Sequence, residues 1–297
     1  MTRYAKLKAR MAAGEKIMID GGTGTELERR GATMVDDAWN SGGALTAPDL
    51  VREIHVDYIE SGAEVIITNT FSTSRFVLAD GGMADQFEFL NRRGVELAIE
   101  ARKQSGRDDV LVAGGMTGVS FTRSWPSDEQ VREDLNRQAD ILVEAGVDFL
   151  ILEMMVNLRY TAIALDAVRR TGLPVWVGYS TLPGDDGQVI LRHGQLLADG
   201  LALLQDRPID LVSIMHTQVE FVDRSLDVLD QHWDGPTGVY AHSGKFVAPN
   251  WVFDGTISPV DYAEAAAGWL KRGVQVIGGC CGIRAEHMCE VRRRMSE

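Results

Sequence analysis

Two kinds of segment alternate along this sequence. Short apolar, β-branched runs recur at residues 17–20, 65–69, 110–113, 149–152, 175–179, 211–215, 238–241 and 274–277. Amphipathic stretches lie among them at 48–61, 84–104, 127–145, 158–171, 194–206, 218–230, 259–272 and 285–294. Near-continuous apolar runs suit strands covered on both faces, and helices between parallel strands supply that cover. Thr46-Ala47-Pro48 and Ser127-Asp128-Glu129 are credible helix starts, whereas Ser61-Gly62, Ala145-Gly146, Thr171-Gly172 and Arg272-Gly273 are credible stops. Eight such units in 297 residues predict an α/β fold, a (β/α)8 barrel of the TIM type, as a single domain over 1–297. The rival is an open doubly wound sheet. It would expect a dinucleotide fingerprint, and Gly21-Gly22-Thr23-Gly24 is too short and wrongly spaced for one. The glycine- and proline-rich stretch 183–194 and the stretch 250–258 read as long loops over one end of the barrel.

Composition narrows the partners. Thirty basic against 43 acidic residues give a formal charge of -13, the wrong sign for a nucleic-acid binder or for docking on an anionic membrane. The longest apolar run, 147–156, is interrupted by Asp148 and Glu153 and falls short of the ~20 residues that cross a bilayer. The basic N-terminal stretch leads into no apolar signal core, which argues against export. With 3 cysteines, two of them adjacent, the chain makes a poor disulfide framework and a better metal or redox signal. The expectation is a cytoplasmic protein acting on small molecules.

A barrel of this type places its active site where the strands end and the following loops begin. Those positions hold Asp20 to Glu26, then Asn69-Thr70-Phe71, Gly114 to Thr117, Glu153-Met154-Met155 and Ser180-Thr181. They continue with His216-Thr217-Gln218, His242 to Lys245 and Gly278-Gly279-Cys280-Cys281-Gly282. Nearly every polar or metal-capable candidate therefore falls at one end. Vicinal cysteines rarely bond to each other, and glycines on both sides let the backbone turn so that both sulfurs face one point. Two thiolates suit zinc. The alternative is that both are small buried hydrophobes at a tight turn. A third ligand has to come from another strand end. His216 lies two strands from the cysteines, and His242 follows the adjacent strand. Cys289, eight residues beyond Cys281 in a helical stretch, reads as a packed thiol. Asp20 and Glu153 read either as bonded structural carboxylates or as partners for a cationic substrate group, and the Gly21–Gly24 turn as backbone donors for a carboxylate.

Three segments in this order, Asp20-Gly21-Gly22-Thr23-Gly24-Thr25, Thr68-Asn69-Thr70-Phe71 and Gly278-Gly279-Cys280-Cys281-Gly282, resemble the zinc-dependent homocysteine S-methyltransferases. That family includes betaine- and S-methylmethionine-dependent enzymes and the homocysteine-binding module of cobalamin-dependent methionine synthase. The resemblance implies a (β/α)8 barrel that moves a methyl group from a sulfonium, ammonium or corrinoid donor to a thiol held on Zn2+. It implies Cys280 and Cys281 as two ligands, with Asp20, Gly21 and Glu153 around the homocysteine amino-acid group, and Gly22 of the same turn is a further substrate-binding candidate. Asn69 and Phe71 then border the donor.

Two positions depart from the family pattern. Its third ligand is a cysteine at the end of the sixth strand, where Ser213-Ile214-Met215-His216-Thr217 places histidine, and His242 stands where many relatives carry asparagine. Three thiolates overcompensate a divalent cation by one charge, while two thiolates and a neutral imidazole just neutralise it. The neutral centre lowers the pKa of a bound thiol further and makes the resulting thiolate a weaker nucleophile. The expected ligand set is Cys280, Cys281 and His216, with His242 as the further candidate, and the expected acceptor is homocysteine, giving methionine. Other readings keep the barrel but use a different thiol or a methylated amine, or make the chain a subunit served by a corrinoid protein in trans.

Overall fold

The apolar runs form eight parallel strands in the computed structural model, which describes residues 1–33, 42–119, 126–247 and 250–297. The strands are β1 (Ile17–Met18), β2 (Val65–Ile67), β3 (Leu111–Met116), β4 (Phe149–Met155), β5 (Val175–Tyr179), β6 (Leu211–Gln218), β7 (Thr237–His242) and β8 (Val276–Gly279). Each pairs with its sequence neighbour from β2 to β8, and β1 pairs with β8. A parallel bridge between Ile19 and Val65 closes the ring. The (β/α)8 expectation holds.

Alternation along each strand sorts side chains into two cores. Inward-facing residues such as Phe149, Ile151, Trp176, Leu211 and Tyr240 fill the barrel interior. Outward-facing ones such as Val112, Leu150, Val177 and Val212 pack beneath the helices. Local signals set the helix limits. The helix Asp128–Ala145 starts at a capping box between Ser127 and Gln130 and stops at Gly146, whose φ is 100°.

The sequence reading missed the N-terminal helix Arg3–Ala12, capped by Thr2. Its buried Tyr4, Leu7 and Met11 plug the barrel interior, and Trp176 Nε1 donates to the Tyr4 hydroxyl at 2.8 Å. The stretches 183–194 and 250–258 are not plain loops. Thr181–Pro183 pairs with Val189–Leu191, and Lys245–Val247 with Asn250–Val252, as antiparallel hairpins over the C-terminal face. Among the described residues, no helix is long and apolar enough to cross a membrane.

Candidate metal centre

Two strands break their ladders at the C-terminal face, and both breaks aim a functional side chain. The β4–β5 register shifts between Leu152 and Met155, and the β6–β7 register between Met215 and Gln218. Within these bulges Met154 has φ 50° and His216 φ 42°, the left-handed region that bulky residues seldom enter. The first bulge carries Glu153 into the barrel mouth and the second carries His216.

His216 Nδ1 lies 3.4 Å from Cys280 Sγ, and the two cysteine sulfurs are 3.9 Å apart. One ligand atom from each of the three residues falls within 4.8 Å of the others, so the group can hold a metal ion. Tetrahedral zinc with bonds of about 2.3 Å to sulfur and about 2.0 Å to nitrogen needs sulfur–sulfur edges near 3.8 Å and sulfur–nitrogen edges near 3.5 Å. The Cys280–Cys281 and His216–Cys280 edges match these values, and the His216–Cys281 edge lies within 4.8 Å. Burial, then the neighbouring His242 and Arg192, hold the His216 imidazole well below its usual pKa, in the neutral form that a metal requires. The Cys281 thiol is pushed up, first by its hydrogen bond to Cys280 and then by burial. An ion at that point would reverse this by favouring thiolate.

His242, nearer the cysteines in strand order, is not one of the three. Its ring stacks on His216 at a centroid distance of 4.3 Å and meets Trp251 edge-on at 5.5 Å. Burial lowers its pKa to about 4, and its Nδ1 has no hydrogen-bond partner. Cys289 is exposed on the helix Ala285–Met295 rather than packed, because its position faces solvent on that helix.

The cysteine turn lies against the Gly21-Gly22 turn, backbone to backbone. A Cβ on Gly22 would stand 2.6 Å from the Cys280 carbonyl oxygen, and one on Gly282 (φ 78°) 2.1 Å from that of Ser243. Close approach is therefore what these glycines supply. The Gly22 N–H is spent on the Ile283 carbonyl at 3.0 Å.

A cavity of about 280 Å³ opens beside the sulfurs and reaches Asp20, Asn69, Phe71, Glu153 and Tyr240. Asp20 Oδ2 accepts the Ile67 N–H at 2.7 Å, which fixes its carboxylate where the β1–β2 pairing ends. Burial, and then the charge of Glu153, push Asp20 up. Burial alone raises Glu153 to about 8. Gly115 leaves it room, since a Cβ there would be 2.7 Å from Glu153 Oε2. Asn69 and Phe71 follow Thr68, whose hydroxyl meets that of Thr70 at 2.6 Å, and Thr70 Oγ1 donates to the Gly115 carbonyl at 2.7 Å.

Sequence reasoning missed three residues of this pocket. Tyr240 presents a buried hydroxyl without a partner, Trp251 walls the histidines, and Arg192 reaches in from the first hairpin. Tyr240 was visible only as one more apolar strand residue. The other two sat in stretches read as loops.

The sequence model of the family described as homocysteine S-methyltransferase matches residues 17–295. Homocysteine S-methyltransferase 4 of Zea mays is 29% identical, the match covering 96% of this chain and 91% of the relative. Selenocysteine methyltransferase of Astragalus bisulcatus is 26% identical over 91% of this chain and 89% of the relative. The crystal structure of the homocysteine methyltransferase MmuM from Escherichia coli, metallated form, superposes with a TM-score of 0.79 at 24% identity, covering 97% of this chain and 99% of that one.

Proposed function

Since this chain belongs to the homocysteine S-methyltransferase family, we propose that it transfers a methyl group from a small sulfonium or ammonium donor to the thiol of homocysteine, giving methionine. The observation that carries the reading is the convergence of His216 Nδ1, Cys280 Sγ and Cys281 Sγ on one point at the mouth of the barrel. These residues would hold Zn2+, leaving one position for the acceptor sulfur. When bound, the ion supplies Lewis acidity that makes thiolate available near neutral pH.

The chain's own residues do the rest. Glu153 and Asp20 face the cavity from β4 and from the end of β1, and take the acceptor's ammonium group. Glu153 ionises on that encounter, because an opposite charge favours the carboxylate that burial disfavours. Asn69 and Phe71 border the space left for the donor. The acceptor sulfur attacks the methyl carbon in line, and the bond from that carbon to the donor's sulfur or nitrogen breaks. Holding the two reactants together in one cavity supplies much of the rate.

The test is methyl transfer by purified, zinc-supplied protein, with homocysteine and either S-methylmethionine or betaine, followed by mass spectrometry. Methionine should form without any added corrinoid protein. Absence of transfer to homocysteine, with another thiol accepting instead, would reassign the acceptor.

A further inference from the structure

The His216 carbonyl has lost its strand partners on both sides. The β5–β6 ladder ends at Tyr179 and Ile214, and the β6–β7 ladder breaks between Met215 and Gln218. A buried carbonyl in that position needs donors from elsewhere. Among the described residues the side chains of Ser180, Arg192 and His242 meet it, the His242 ring bonding to the same carbonyl. Ser180 Oγ donates to it at 2.7 Å and Arg192 Nη2 at 2.8 Å, while Arg192 Nε donates to Ser180 Oγ at 2.7 Å. The three bonds close a ring around one oxygen. The next residue is tied as well, since the Thr181 N–H donates to Thr217 Oγ1 at 3.0 Å.

This clamp grips the residue whose φ of 42° turns its ring toward the sulfurs. A left-handed histidine persists only where its surroundings over-determine it. Released, residue 216 relaxes toward extended backbone, and by the period of two its side chain then leaves the mouth. Arg192 is partly buried, lines the cavity, and spends these hydrogen bonds on a hydroxyl and a carbonyl rather than a carboxylate.

We propose that Arg192, acting with Ser180, is the positioning residue for the metal-ligating imidazole: it holds the His216 carbonyl and thereby keeps Nδ1 facing Cys280 Sγ. The inference rests on the reading of His216, Cys280 and Cys281 as a metal site. It places a hairpin arginine outside the ligand set in control of that set's geometry.

The test uses zinc affinity by chelator competition and the absorption spectrum of the Co2+-substituted protein, in wild type, R192M, R192K, S180A, H216A and R192M/H216A. R192M should weaken zinc about 10- to 100-fold, the range seen when a partner that orients a ligand is removed, and should move the Co2+ bands toward those of H216A. S180A should shift both readouts in the same direction by less. R192K should recover part of the affinity, because an ammonium can reach the carbonyl but cannot fork to both acceptors. In the H216A background R192M should add no further loss. A role confined to general stability would lower the melting temperature of these variants without moving the Co2+ spectrum.

Wild-type affinity and spectrum in both R192M and S180A would overturn the proposal, as would a full additional loss in R192M/H216A. If R192M does not fold, S180A alone decides by the same criterion. H216A retaining wild-type affinity would instead overturn the ligand assignment beneath the proposal. Loss in H216A with none in R192M would defeat the positioning role alone.

Discussion

Glu153 offers a quantitative test of how the pocket recognises an amino acid. Burial raises its carboxyl to about 8, so below that pH the empty pocket holds it neutral. An incoming ammonium needs the carboxylate, and binding must therefore expel a proton. At pH 7 only about a tenth of the molecules carry the ionised form, which costs binding about 1.4 kcal/mol, and at pH 6 the cost is about 2.7 kcal/mol. The assay is calorimetric titration with L-methionine, the reaction product, whose thioether does not titrate and whose ammonium stays protonated across this range. The dissociation constant of wild type should fall about tenfold per pH unit from 6 toward 8 and level off above it. Proton release, read from buffers of different ionisation heat, should approach one at pH 7.

Glu153→Gln should abolish both effects. It should bind about a hundredfold more weakly than wild type at pH 8.5, where a charge-assisted hydrogen bond worth ~1.5–3 kcal/mol is lost. At pH 6 the two should come within a few-fold of each other. A flat wild-type profile would refute the reasoning, and so would an E153Q profile with the wild-type slope. The latter result would transfer the titration to Asp20, which D20N would then report.

Other consequences follow from the same structure. Cys280→Ala and Cys281→Ala should each leave the purified protein with little zinc by elemental analysis, and stoichiometric zinc in both would remove the metal site. His55 is fully buried with neither nitrogen bonded and its pKa lowered by burial to about 4. The unfolded chain therefore takes up a proton first, and this residue's share of stability falls as pH drops from 6.5 toward 4, by about 3 kcal/mol at the limit. His55→Leu should flatten that loss and add about 1–3 kcal/mol at neutral pH, both read from urea melts. Leu7→Ala in the helix Arg3–Ala12 should destabilise by about 2–4 kcal/mol with little effect on zinc affinity, since Arg3 and Met11 bond to Asp108 and Gln275, which precede β3 and β8 at the end of the barrel opposite the metal site. With homocysteine as acceptor, sulfonium donors should show a larger kcat/KM than betaine, and His216→Cys should narrow that ratio.

The sequence made the strands legible because apolar runs report burial on both faces, and it placed the glycine–cysteine turn at the correct end. It could not show the bulges. Glu153-Met154 and His216-Thr217 contain no glycine to mark an irregularity, and the apolar runs stop at Leu152 and Met215 although β4 and β6 continue to Met155 and Gln218. Strand order alone would rank His242 ahead of His216 as the third ligand, and a local backbone twist reverses that ranking. The first hairpin did carry a signal, Asp186-Gly187 before the apolar Val189-Ile190-Leu191, but it lay within a stretch read as loop. Tyr4, Leu7 and Met11 also form a readable helical stripe, yet what the stripe covers depends on Trp176, far along the chain.

Charge balance links these residues to donor choice. In the proposed site two thiolates would neutralise a bound divalent cation and His216 would add no charge, while Arg192 adds a positive one beside the same cavity. A third thiolate in place of His216 would shift that total by one toward negative. The more positive site holds the acceptor as thiolate at lower pH, and by the same attraction withdraws electron density from the attacking sulfur. A weaker nucleophile depends more heavily on its leaving group. A sulfonium departs as a neutral thioether, a far weaker base than the tertiary amine that a quaternary ammonium releases. A preference for sulfonium donors would thus be a consequence of His216 and Arg192 together. Equal kcat/KM for S-methylmethionine and betaine would mean that alignment in the pocket, rather than the electronics of the acceptor sulfur, sets the rate.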